Sequence, residues 1–166
     1  MKKLLLLVGL ISLPTFASVS ANVSFASDYI WRGMTQSDGP AIQGGFDYEA
    51  ESGFYAGIWG SNVNFNDGAG SELDYYFGYG FELGSVGVDL GYVAFDYPDN
   101  TEGLDFEEIV VGLSYGDLGL TFALGQDGAP DYTEVAYSVA GIDFAYGEYD
   151  EYGNNFIISK GFACGS

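Results

Sequence analysis

Apolar and polar side chains alternate along this chain with a period of two. Leu73, Tyr75, Phe77, Tyr79, Phe81 and Leu83 occupy one set of positions, and Glu72, Asp74, Tyr76, Gly78, Gly80 and Glu82 the other. Alternation over a dozen residues predicts a β-strand, and no helical spacing fits it. The pattern returns as Val86, Val88, Leu90 and Tyr92 against Gly87, Asp89 and Gly91. It returns again as Leu118, Leu120, Phe122 and Leu124 against Gly119, Thr121, Ala123 and Gly125. Ile142, Phe144 and Tyr146 oppose Asp143, Ala145 and Gly147. Ile109, Val111, Leu113 and Tyr115 follow an acidic start at Asp105, Glu107 and Glu108. Between Phe54 and Phe65 both sets contain apolar residues, which leaves the register of that segment open.

About ten such segments are separated by connections of alternating length. Residues 34–40, 66–70, 98–103 and 126–131 form long connections, while 51–53, 84–85, 116–117 and 140–141 form short ones. The last connection, around Glu151, Tyr152 and Gly153, is intermediate. Gly, Asp, Asn and Pro fill these positions because they supply positive φ, side-chain turns and a fixed φ. Tight turns on one side and longer loops on the other are the signature of an outer-membrane barrel. The expected fold is therefore all-β, an antiparallel transmembrane β-barrel of about ten strands, with eight or twelve as the alternatives.

The chain start reads as an export signal. Lys2 and Lys3 precede the apolar run 4–13, which is too short to span a bilayer, and Pro14, Ala17, Ser18 and Ser20 follow. Cleavage after Ala21 is the preferred site and after Ala17 the alternative. The expected organisation is a signal peptide over 1–21 and a single outer-membrane domain over 22–166.

Charge narrows the partners. Lys and Arg total 4 against 24 Asp and Glu, and two of the four are Lys2 and Lys3. With Arg32 and Lys160 alone left to neutralise phosphates, nucleic acid is excluded as a partner. An acidic balance marks disorder only where aromatics are few, and here there are 14 Tyr, 13 Phe and 2 Trp. Cys164 stands alone and there is no His, so neither a disulfide nor a Cys/His metal or catalytic pair is expected. Asn64, Asn66, Asp67, Gly68 and Glu72 do not follow the EF-hand spacing. Phosphate loops, a nucleophile elbow and a histidine base are all missing from the sequence, so no enzyme activity, cofactor or metal is expected.

Two kinds of face distinguish a soluble barrel from a membrane one. One set of strand positions carries bulky apolar and aromatic groups, and the other carries Gly, Ala, Ser and carboxylates. A soluble barrel turns bulk inward, whereas a membrane barrel turns it toward lipid. The 26 glycines would weaken a soluble sheet, which needs side chains to pack. Small groups suit a narrow lumen, so the membrane arrangement is expected, with outer-membrane lipid as partner.

Residues 21–63 carry a further signal. Ser27-Asp28-Tyr29, Arg32-Gly33, Thr35-Gln36, Pro40-Ala41, Gln43-Gly44-Gly45 and Asp47-Tyr48 are followed by Gly53-Phe54-Tyr55-Ala56-Gly57, Trp59 and Ser61-Asn62-Val63. Glu72-Leu73-Asp74, Gly78-Tyr79 and Tyr97-Pro98 continue it more weakly. In these pieces the chain resembles the TorF (Gcw_chp) family of porin-type proteins of Gram-negative bacteria. The resemblance implies an outer-membrane barrel acting as a porin and transfers no catalytic residues. The chain looks shorter in its second half than that family. Phe156, Ile158 and Phe162 resemble the C-terminal strand signal of outer-membrane proteins, although residues 163–166 follow.

On the small-residue face, the candidate pore-lining residues are Asp28, Arg32, Asp47, Glu49, Glu72, Asp74, Asp89, Glu108 and Asp143, with Glu82 and Glu134 on the same face. Carboxylates in a low-dielectric tube attract cations, so the expected function is a small diffusion channel for cations or small cationic solutes. Asp28 and Arg32, four residues apart, are expected on one strand face, paired with each other or with Asp47 and Glu49. Such a group is either a constriction or plug or a structural ion pair. Tyr29, Trp31, Phe65, Phe95, Tyr97, Tyr132 and Tyr149 at one set of strand ends, and Phe54, Tyr55, Phe81, Tyr115 and Phe162 at the other, are expected as aromatic girdles. The rival readings are a closed-lumen structural or surface-interaction barrel and a secreted soluble β-protein.

Overall fold

The computed structural model describes residues 18–66, 68–98 and 103–162. The basic and apolar start, Asp67 and Cys164 lie outside the described residues. Among the described residues twelve strands occur in chain order. They are β1 (Ser18–Ala26), β2 (Ile30–Trp31), β3 (Met34–Thr35), β4 (Ala41–Glu49), β5 (Phe54–Asn62) and β6 (Ser71–Leu83). They continue as β7 (Val86–Asp96), β8 (Phe106–Tyr115), β9 (Leu118–Gly125), β10 (Tyr132–Val139), β11 (Ile142–Tyr149) and β12 (Gly153–Ser159).

Ten of the twelve form one antiparallel sheet in the order β1-β4-β5-β6-β7-β8-β9-β10-β11-β12, each strand beside its neighbour in the chain. The expected ten strands are therefore present. β1 and β12 share no ladder, so the sheet keeps two free edges. The remaining two strands, β2 and β3, pair only with each other, Ile30 with Thr35 and Trp31 with Met34.

The connections alternate as the sequence requires. Residues 50–53, 84–85, 116–117 and 140–141 turn at one end, and the ends of β1, β5, β7, β9 and β11 that lead into the longer connections lie at the other. Ala140 and Gly141 both have positive φ, 53° and 73°, as a type I′ turn demands.

Burial settles the two faces. In β6, Glu72, Asp74, Gly78 and Gly80 are buried while Tyr75, Phe77 and Tyr79 are exposed. In β9, Gly119, Thr121 and Ala123 are buried and Leu118 and Leu124 exposed. The small and acidic face is thus the inner one. The open register of β5 resolves the same way: Trp59 and Ser61 are buried, and Phe54 and Asn62 face out.

Glycines on the inner face let tyrosines lie across the sheet. Gly57 is the registered partner of both Asp47 and Tyr76, and the Tyr76 ring occupies the space where a Gly57 Cβ would stand. The phenol crosses β5 and donates to Asp47 Oδ1 on β4. Tyr55 does the reverse, covering Gly78 on β6 and donating to Asp89 Oδ1 on β7 at 2.8 Å. Each tyrosine thereby ties three strands together.

Gly57→Val should therefore cost roughly 1–3 kcal/mol through forced displacement of the Tyr76 ring. Urea unfolding of Gly57→Val, Tyr76→Ala and the double variant checks this. A clearly smaller valine cost in the Tyr76→Ala background is expected, whereas strictly additive losses would place the strain elsewhere.

Candidate functional site

The segment after β1 folds back over the inner face instead of bridging the rim. Its base is tied by main-chain hydrogen bonds: Gln36 N to Tyr29 O at 2.7 Å, and Asn64 N to Gln36 O at 2.7 Å. Ser37 Oγ accepts from Tyr29 N at 2.8 Å, and Thr35 Oγ1 donates to Asp28 Oδ1 at 2.6 Å. The Thr35 hydroxyl holds the Asp28 carboxyl below the usual carboxylate range. What ionised Asp28 contributes is present above the ordinary carboxylate pKa and is lost as pH falls through the lowered one.

β2 and β3 are joined by a two-residue turn, Arg32 at φ 47° and Gly33 at φ 83°. Positive φ at both central residues is the type I′ condition, and a left-handed arginine is uncommon. The turn points its tip into the curl of the sheet. Trp31 meets Phe95, Phe106 and Tyr149 with ring centroids 5.7, 6.0 and 5.5 Å away. A Cβ on Gly33 would lie 2.6 Å from Asn155 Cβ on β12. One hairpin thus touches β7, β8, β11 and β12, so the sheet curls round it at the end that bears the long connections.

At the tip Arg32 makes two parallel hydrogen bonds to Glu108 on β8, Nη1 to Oε1 at 2.6 Å and Nη2 to Oε2 at 2.7 Å. Glu108 has no exposed surface, and Arg32 is 9% exposed. The guanidinium carbon also lies 4.1, 4.2 and 5.0 Å from the ring centroids of Trp31, Tyr132 and Tyr149. Bidentate pairing and aromatic contact are the two ways a buried guanidinium is compensated.

Beside this pair lie two more buried acids. Glu72 accepts from Tyr29 Oη at 2.9 Å and is also hydrogen-bonded by Tyr97. Burial first, and Glu72 second, push the phenols of Tyr29 and Tyr97 well above their ordinary range, so both remain donors. Asp74, 6% exposed, has its Oδ1 buried without a hydrogen-bond partner, and the same holds for Trp31 Nε1, Arg32 Nε and Asn155 Oδ1. Such atoms each cost about 1–3 kcal/mol when left unmade.

The nine candidate residues divide into three groups. Arg32, Glu72, Asp74 and Glu108 converge around the hairpin. Asp47 and Asp89 sit deeper, half-buried, each holding a tyrosine hydroxyl. Asp28, Glu49 and Asp143 do not join them: Asp28 serves the hairpin base, Glu49 is exposed, and exposed Asp143 accepts from Ser138 Oγ at 2.6 Å. The expected pairing of Arg32 with Asp28, Asp47 or Glu49 is corrected to Glu108, because residues 28–32 enter a turn rather than continue a strand.

The expected girdle is corrected as well. Tyr29, Trp31, Phe95, Tyr97, Tyr132 and Tyr149 are buried in one inner cluster with Trp59, since they pack on the hairpin. Tyr55 also faces inward, while Phe54, Tyr115 and Phe162 remain exposed. Phe162 lies beyond the end of β12. Sequence reasoning missed the inward tyrosines as functional groups; the signal was a Tyr at an inner-face position with Gly on the next strand.

Arg32→Gln and Glu108→Gln should each destabilise strongly, by roughly 3–5 kcal/mol where an unpaired buried charge is left. The double variant should lose less than the sum. Urea unfolding of all three checks it, and additive losses would show that the pair is not coupled.

Neither a curated protein nor a solved structure matches the chain. Residues 14–158 match a family described as bacterial protein of unknown function (Gcw_chp). That match spans most of the chain, which therefore belongs to the Gcw_chp family.

Proposed function

We propose that the chain is a porin of the TorF type, an outer-membrane barrel that lets small cations or cationic solutes diffuse through an acidic lumen. The observation that carries this reading is the inverted partition of side chains. Phe25, Phe46, Phe77 and Phe156 are exposed, whereas Glu72, Asp74 and Glu108 are buried. Water disfavours such an arrangement and a bilayer favours it. The two free edges support closure of the barrel. In β1, Val19, Val23 and Phe25 are exposed on the outer face, and Asn22 on the inner face donates to Asp47. In β12, Phe156 and Ile158 are exposed and Asn155 and Ser159 are half-buried. An antiparallel β1–β12 ladder would continue both faces and remove both edges.

An export signal fits this location, and the pairing of β1 favours the alternative processing site. β1 pairs with β4 from Ser18 to Ala26, so cleavage after Ala21 would remove four paired residues, while cleavage after Ala17 keeps the strand whole. The mature protein should begin at Ser18, as read by N-terminal sequencing after export. A start at Asn22 would overturn this.

The hairpin in the mouth favours a second reading, a closed barrel acting through its acidic loops. A narrow barrel is readily filled by its own side chains. Current through refolded protein in a planar bilayer under a salt gradient separates the two. Discrete steps with a cation-selective reversal potential are expected. Protein that inserts and passes no current would sink the porin, and protein that stays monodisperse without detergent would sink the membrane reading.

A further inference from the structure

The geometry points to a recognition site for guanidinium-bearing solutes in the wall of the sheet, formed by Glu108, Tyr132 and Tyr149 and filled by Arg32 as a tethered competitor. As a solute site it rests on the channel reading above; as a binding site it does not.

The three wall residues come from β8, β10 and β11 and would stay behind if the hairpin tip withdrew. Glu108 presents both carboxylate oxygens in the plane that two guanidinium N–H groups require, at 2.6 and 2.7 Å from Arg32. The two tyrosine rings stand 4.2 and 5.0 Å from the cation, within the range of cation–π attraction. With Arg32 seated the carboxylate is fully enclosed; to take the same place between the two rings a solvated ion such as potassium would have to shed water, whereas guanidinium is weakly hydrated. The wall therefore selects a planar, weakly hydrated cation.

The occupant's tip is held to the wall by side-chain contacts. Its anchoring main-chain bonds, through Tyr29, Gln36 and Asn64, all lie at the base of the hairpin. Trp31 Nε1 and Arg32 Nε are buried without acceptors, and Arg32 holds a left-handed φ of 47°. Each feature makes the seated tip less favourable than its contacts alone suggest. Arg32 competes through its tether, at an effective concentration set by the short segment, so a free guanidinium must outcompete it by mass action.

Ethylguanidinium chloride is the probe, titrated against full-length refolded protein in detergent micelles with potassium chloride at equal ionic strength as control. Both tryptophans, Trp31 and Trp59, belong to the inner cluster and report occupancy by fluorescence. Arg32→Ala should bind saturably, wild type at least about tenfold more weakly, and Arg32→Ala with Glu108→Gln not at all. If Arg32→Ala does not refold, Arg32→Lys should bind between the two, since an ammonium cannot make the paired contact. No saturable change in folded Arg32→Ala or Arg32→Lys, none in wild type, or unchanged binding after Glu108→Gln would overturn the site. Bilayer current separates this from the porin reading: binding without current retains the site and removes the channel, while current without binding does the opposite.

Discussion

Burying one guanidinium organises the mouth of this sheet. Arg32 is almost wholly withdrawn from water, and a charge in that position is tolerable only with a counter-charge in good geometry. Glu108 supplies it, and the rings of Trp31, Tyr132 and Tyr149 supply the rest. Because these residues come from the hairpin, β8, β10 and β11, satisfying the one charge holds a hairpin that emerges from β1, at one edge of the sheet, against strands toward the other edge. The curl and the seated hairpin are two descriptions of that requirement.

Below the mouth a different device holds the curvature. Inner-face glycines give up packing, which in an ordinary sheet would be a loss. Here the vacated positions are taken by Tyr76 and Tyr55, whose hydroxyls reach Asp47 and Asp89 across an intervening strand. The acids there are oriented acceptors held by phenols. An interior with so few cations can still hold many carboxylates, because neutral donors stand in for the missing Lys and Arg.

Strands and turns were legible in the sequence because both are local. Period two needs only neighbouring positions, and Ala140-Gly141 or Gly84-Ser85 between two alternating runs marks a turn on its own. The faces were legible too, since Glu72 and Asp74 alternate with Tyr75 and Phe77. The hairpin was not. Asp28 and Arg32 keep strand spacing, and nothing local to Arg32 announces a positive φ in a residue that seldom adopts one. Its partner Glu108 lies 76 residues away. The aromatic girdle failed for the same reason: Trp31, Phe95 and Tyr149 stand at strand ends, where lipid-facing belts also stand, and only the inserted hairpin turns them inward.

The free edges bear on how mouth and sheet depend on each other. Gly33 approaches Asn155 so closely that a side chain would not fit, which places the hairpin against β12, the last strand. The hairpin itself emerges from β1, the first. One short segment therefore already links the two edges across the interior, with no ladder between them. Closing that seam would trap the hairpin inside a continuous wall, and withdrawing the hairpin would remove the contact that brings the edges near. If the wall closes in this way, occupancy of the mouth and closure would be coupled, and a solute that displaced Arg32 would act on both.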